Sequence, residues 1–403
     1  MENSMVSPPT PILDNTTRSV AEVEPAGNFA HQTSHSFMID TQVYKSLGLY
    51  FSSITSLLLA SLGCGNNVLI ILVFAKQGFG ESVNISMTAI AVWDLVKCLT
   101  GAICRLYGPI GMVSAANGFS WQMMTVPNLG YLNTISGYVS FGLAAYVSFE
   151  RCVCVVKPFT VKSLLTPKVT ITAVTFVSVT MFGSFAISLT QYKVVWVFSP
   201  RFNTTVAVYG VTDFFSRHAE RILEYYRAAS VAVPVITYTV IVTCTIIIMV
   251  QLREYSKFRI QSQAGAKKPN QPPPTTEYAL KNTTKDSSKP PAKGKGKGAA
   301  ALSTRDRQVV RMLLAVLFVY IVNLVPRLAM YVAMFAEPEF YFDRRYHRLY
   351  MVVLGFIHFG EILNASVNLY IFLAMSSQFR NTFLLLFPSS QICVSLCQGK
   401  LSP

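Results

Sequence analysis

The chain is poor in charge. Only 13% of its 403 residues are Asp, Glu, Lys or Arg, against 52% hydrophobic side chains, and its mean hydropathy is +0.42. A soluble domain carries about 25% charged residues, so an ordinary water-soluble enzyme is excluded. Histidine is scarce as well. Of His31, His35, His218, His347 and His358, only His358 falls within a long apolar run, so no zinc cluster can be assembled at membrane depth and a seven-span metallohydrolase is ruled out. Cysteine is missing from the first 63 residues and between Val155 and Thr243, which excludes a disulfide-stapled outer domain. The opening residues lack a basic stretch followed by an apolar one, so no cleaved signal peptide is expected and the first span itself would direct insertion.

What the sequence does have is long apolar runs. A membrane-crossing helix needs about 20 mostly apolar residues, and seven segments qualify, at about 47–75, 85–112, 128–156, 168–191, 227–252, 308–335 and 349–375. The expected fold is therefore an all-α, seven-transmembrane helix bundle. Residues 1–46 read as a disordered polar tail, 47–390 as the membrane domain, 253–304 as a flexible basic loop rich in Pro, Gly and Lys, and 391–403 as a short tail. The net charge is +15, but 14 Lys/Arg against four Asp/Glu lie between Leu252 and Arg311. A basic excess confined to one loop points to the cytoplasmic side of a membrane rather than to nucleic acid. With seven spans, this sets the N-terminus outside and the C-terminus in the cytoplasm. Sequons at Asn15 and Asn203 then fall outside as glycosylation candidates. After the fourth span, Tyr192–Phe198 and Thr204–Tyr209 are rich in β-branched and aromatic residues on either side of Pro200–Asn203, which predicts a β-hairpin.

Ionisable groups at membrane depth are costly unless paired or wetted. Asp94 lies in the second span, with Asn66, Ser140, Asn364 and Asn368 as polar neighbours on other spans. Such a set either ties the helices together by hydrogen bonds or lines a hydrated cavity suited to Na⁺, with Asp94 and Ser140 as its ligands. Arg105, Arg327 and Glu361 lie in the outer halves of their spans. Glu361 can neutralise one arginine, and the other would then face the pocket unpaired.

Taken together, these positions resemble the rhodopsin-like class of G-protein-coupled receptors. Gly65-Asn66, Ala91-Val92-Trp93-Asp94-Leu95, Glu150-Arg151-Cys152 with Pro158 seven residues beyond Arg151, Pro234, Pro326 and Asn364-Ala365-Ser366-Val367-Asn368 match its helix signatures in register. Phe379-Arg380 and Phe383 are similar to the start of its short membrane-surface helix. The resemblance implies an outer ligand pocket and a heterotrimeric G protein as the inner partner. It also implies a switch in which Arg151, beside Glu150, pairs with Asp306; the 20 residues from Asp306 to Pro326 span about 30 Å of helix, which brings Asp306 level with Arg151. Cys393 and Cys397, following an amphipathic stretch, are palmitoylation candidates.

There are departures from the pattern. Val126 stands where the family has its helix 3 cysteine. Asn323-Leu324-Val325-Pro326 lacks the usual tryptophan, and Leu369 and Phe372 replace the helix 7 proline and tyrosine. With the run Val92–Thr100, these departures resemble a molluscan chemosensory or neuropeptide-type branch. Asn133 occupies the place of the aspartate of amine receptors, and the last span has no retinal lysine. The expected ligand is therefore a small anionic or zwitterionic cue or a peptide, held by Arg105, Asn133, Arg327, His358 and Glu361. A ligand-gated channel of the seven-span odorant-receptor kind is the alternative, and it would need the inverted topology. A transporter would show internal repeats with broken helices, and none is visible.

Overall fold

The computed structural model describes residues 39–157, 165–265, 304–340 and 344–390. Seven helices are long and apolar enough to cross a membrane: Thr41–Gln77, Ser82–Val113, Ala115–Val156, Pro167–Thr190, Asp213–Glu254, Val310–Ala336 and His347–Met375, hereafter spans 1 to 7. Their outer surfaces carry large apolar side chains such as Leu58, Phe176 and Phe318, all more than 60% exposed. Such a surface suits hydrocarbon and would be a liability in water. Span 3 is central, packed against spans 2, 4, 5 and 6. Tyr138, Leu143, Leu317, Tyr320 and Leu324 fill the core around it.

Local chemistry sets the helix ends. Span 1 stops at Gly78, whose φ of 84° is open to glycine at little steric cost. Span 4 opens with Thr166, whose Oγ1 accepts from the Val169 N–H at 3.4 Å, followed by Pro167 in the first turn, where a missing N–H costs nothing. After span 7, Ser376 caps the short helix Ser377–Leu386. Phe379 and Phe383 of that helix are buried, and Phe379 packs on Phe74 and Phe372. A short helix is thus present where the membrane-surface helix is expected.

Several boundaries differ from expectation. Span 3 begins at Ala115 rather than near 128, because the helix runs through Pro127; proline removes one backbone donor but its φ is already helical. Span 1 begins at Thr41, capped by the Asp40 carboxylate on the Gln42 N–H at 2.7 Å. It widens to a π-helix over Leu47–Thr55. The helix of span 5 continues to Gly265, into the segment expected as loop, since neither glycine nor proline interrupts it between Pro234 and Gly265.

The expected hairpin is present. Strands β1 (Tyr192–Ser199) and β2 (Thr204–Val211) pair antiparallel from Tyr192 with Val211 to Ser199 with Thr204. Asn203, at φ 51°, occupies the left-handed position in its turn. No cysteine anchors it. The Ala207 N–H donates to Ser120 Oγ of span 3 at 3.2 Å, and Phe202 packs on Phe119. The hairpin marks one end of the bundle, and Arg151 lies at the other.

Candidate functional site

Four polar regions lie along the bundle. At one end, Arg151 is paired with Glu150, and Ser86 Oγ of span 2 donates to the other Glu150 oxygen at 3.1 Å. Glu150 is fully buried. The expected partner Asp306 belongs to the helix Thr304–Ala336, but its side chain lies outside the described residues, as do Asn15, Cys393 and Cys397. Within the described residues, Arg151 is held by its neighbour in span 3 and, through that carboxylate, by span 2.

Deeper in the bundle, Asp94 is met by two neutral donors. Ser140 Oγ donates to Oδ1 at 2.8 Å and Asn368 Nδ2 to Oδ2 at 3.1 Å. Asn364 Oδ1 and Asn368 Oδ1 are buried and accept no hydrogen bond within 3.5 Å among the described residues, and the buried Tyr320 hydroxyl lies beside both amides. Asn66, expected in the same set, instead donates to the Ser366 carbonyl at 2.8 Å, and its neighbour Asn67 donates to the Ala365 carbonyl, also at 2.8 Å. These two asparagines fasten span 1 to span 7 rather than lining the Asp94 node.

One helical turn towards the hairpin end is a cluster of full charges. Glu361 accepts from Arg327 through Oε1 and from Lys97 through Oε2, the latter at 2.8 Å. All three are buried, at 2%, 6% and 3% exposure. Arg327 Nη1 also donates to the Tyr138 hydroxyl at 3.3 Å, which pairs with the Tyr331 hydroxyl at 3.1 Å. The Tyr138 ring stacks on Phe185 at 4.3 Å. His358 Nδ1 lies 3.7 Å from Glu361 Oε2. Gly137 leaves the room that the Lys97 ammonium occupies, since a Cβ there would press on Nζ.

Lys97 is a member of this cluster that the expected ligand residues do not include. The available signal was a lysine three residues after Asp94, and so on nearly the same helix face. The structure also decides which arginine Glu361 neutralises. It is Arg327, which is enclosed by its partners and is not part of the cavity wall described next.

That cavity, of about 430 Å³, lies at the hairpin end between spans 1, 2, 3 and 7. The π-helical stretch of span 1 forms one side. Arg105, Lys45, His358, Asn133 and Gln122 are its basic and amide groups, set among apolar residues such as Phe51 and Phe356. No Asp or Glu is among the described residues of the wall, and Arg105 has no carboxylate partner among them either. Asn133 Nδ2 donates to the Lys97 carbonyl at 2.6 Å, so it links the cavity to the charge cluster. Of the five expected ligand residues, Arg105, Asn133 and His358 reach the cavity, while Arg327 and Glu361 lie in the cluster beneath it.

Residues 65–368, three quarters of the chain, match the 7 transmembrane receptor (rhodopsin family) profile. The chain belongs to that family. It is a multi-pass membrane protein and a signalling receptor, and the match does not favour the inverted channel. No curated protein matches the chain.

Proposed function

We propose that this receptor responds to an extracellular ligand carrying an anionic group and passes the signal to a heterotrimeric G protein. In this reading the hairpin end faces outward at the plasma membrane and the Arg151 end faces the cytoplasm. The basic loop after span 5 supports this orientation, because positive charge is retained on the cytoplasmic side. Asn15 and Asn203 are then glycosylation sites on the outer face, and Cys393 and Cys397 are lipidation sites on the inner one.

The observation that carries the ligand assignment is Arg105, an arginine without a carboxylate partner among the described residues, on the wall of a cavity whose described residues include no acidic group. A guanidinium offers a carboxylate two parallel hydrogen bonds, and the volume suits a small molecule. With no carboxylate to take an ammonium, an acid with an apolar body fits better than a free amino acid. A chemosensory cue or the carboxyl end of a peptide meets the same description.

At the other end, Arg151 is the charged group released towards the G protein, with Glu150 and Asp306 holding it at rest. The Asp94 node, with the unpartnered oxygens of Asn364 and Asn368, is read as a hydrated site that can take Na⁺ through Asp94 and Ser140.

A panel of organic acids, amino acids and matched free-acid and amidated peptides, read as second-messenger output from the full-length receptor, tests the assignment. Active compounds are expected to share a carboxylate and to lose at least about tenfold in potency with Arg105→Ala, the size of one charge-assisted contact. An amidated or cationic agonist indifferent to that substitution would overturn it.

A further inference from the structure

The charge cluster lies where span 6 is weakest. Pro326 cannot donate to the carbonyl four residues earlier, so the helix lacks one backbone rung there, and the next residue, Arg327, is the one that Glu361 grips. The other Glu361 oxygen takes Lys97. One carboxylate therefore fastens span 6 to spans 7 and 2 beside the proline. His358, one turn above Glu361 and within 3.7 Å of it, also lines the cavity wall that holds Arg105.

We propose that Lys97, Glu361 and Arg327 form a charge-released clasp that holds span 6 at rest and is loosened by an anion seated at Arg105 and His358. The proposal rests on the anionic-ligand receptor reading and adds its means of control. The physical basis is competition. His358 Nδ1 lies 3.7 Å from the Glu361 oxygen that Lys97 holds, and an arriving carboxylate offers the imidazole on the cavity wall a second acceptor while repelling Glu361. Glu361 is buried, so that repulsion is screened less than between two surface charges. A neutral occupant of the same cavity supplies neither effect. Once Glu361 relaxes its hold on Arg327, span 6 is free to pivot at Pro326, and a small shift at the proline becomes a large one at the Arg151 end.

The test measures the distance between spin labels at Lys76→Cys and Arg311→Cys, both exposed at the Arg151 end, in the full-length receptor in lipid nanodiscs. Nucleotide exchange on added G protein is followed in parallel. Lys97→Met is expected to lengthen the label distance and to raise basal exchange at least about threefold, whereas Lys97→Arg, which keeps the charge, stays at the parent value. Should Lys97→Met fail to fold, Gly137→Ala presses on the ammonium without removing it and is expected to shift the distance in the same direction. An unchanged distance in a folded variant overturns the clasp. Gln122→Glu places a fixed carboxylate on the cavity wall and is expected to reproduce the shift. If it does not, the tie is static and release by an anion is refuted. A distance that moves while exchange stays flat supports the clasp and counts against G-protein coupling, so the two failures are separable.

Discussion

Two buried polar nodes lie a single helical turn apart and solve the same problem in opposite ways. Among the described residues, Asp94 accepts hydrogen bonds from two neutral donors, Ser140 and Asn368, with Lys97 one turn away and with the Asn364 and Asn368 amide oxygens and the Tyr320 hydroxyl beside it. Glu361 is a carboxylate enclosed by two full cations. The first arrangement leaves oxygen atoms that water or a cation can use. The second is charge-compensated, and its members are arranged around one another. The difference shows that a buried charge reports function through the state of its partners. A fully paired group sets shape, and an incompletely paired one offers a binding opportunity.

The largest effect that this contrast predicts is from Glu361→Gln. The amide leaves Lys97 and Arg327 buried without a counter-charge, and breaking a buried pair from one side costs about 3–5 kcal/mol. A loss of surface expression, or a steep fall in the Tm of the detergent-solubilised receptor, is expected. A stable, fully expressed variant would erase the distinction between the nodes.

Asp94→Asn should behave differently. It removes a charge whose contacts are hydrogen bonds from neutral donors, so stability should change by no more than about 1–2 kcal/mol, while any Na⁺ dependence of ligand affinity disappears. If ligand affinity in the unmutated receptor ignores Na⁺, the node is a water site only. The smallest effect is expected from Tyr138→Phe, which removes one neutral acceptor from Arg327 and leaves its ring on Phe185. A loss of about 0.5–1.5 kcal/mol in thermal unfolding is predicted, and a collapse comparable to Glu361→Gln would mean that the tyrosine pair, not the carboxylate, holds Arg327.

How far the sequence could be read follows from the same physics. The seven spans were legible because hydrocarbon demands long apolar runs. The hairpin was legible because β-branched and aromatic residues flank a turn ending in Asn203. The Asp94–Ser140–Asn368 grouping was legible because it fits a register of motifs.

Other features were hidden for identifiable reasons. Proline at 127 signals a boundary locally, yet the backbone tolerates it and span 3 continues to Ala115. The π-helical widening of span 1 leaves no mark in an apolar run. Lys97 and Glu361 are 264 residues apart. A lysine in an apolar stretch reads as a side chain reaching for the interface until its carboxylate is seen beside it.

The central claim is that ligand recognition and signal output reside in different arginines at opposite ends of one bundle. The most direct measurement pairs equilibrium binding of the first acid active in the panel with second-messenger output, in Arg105→Ala and Arg151→Ala at matched surface expression. Arg105→Ala is predicted to lose binding at least about tenfold. Arg151→Ala is predicted to keep binding and lose output. Unchanged binding in the first variant, or full output in the second, would contradict the account.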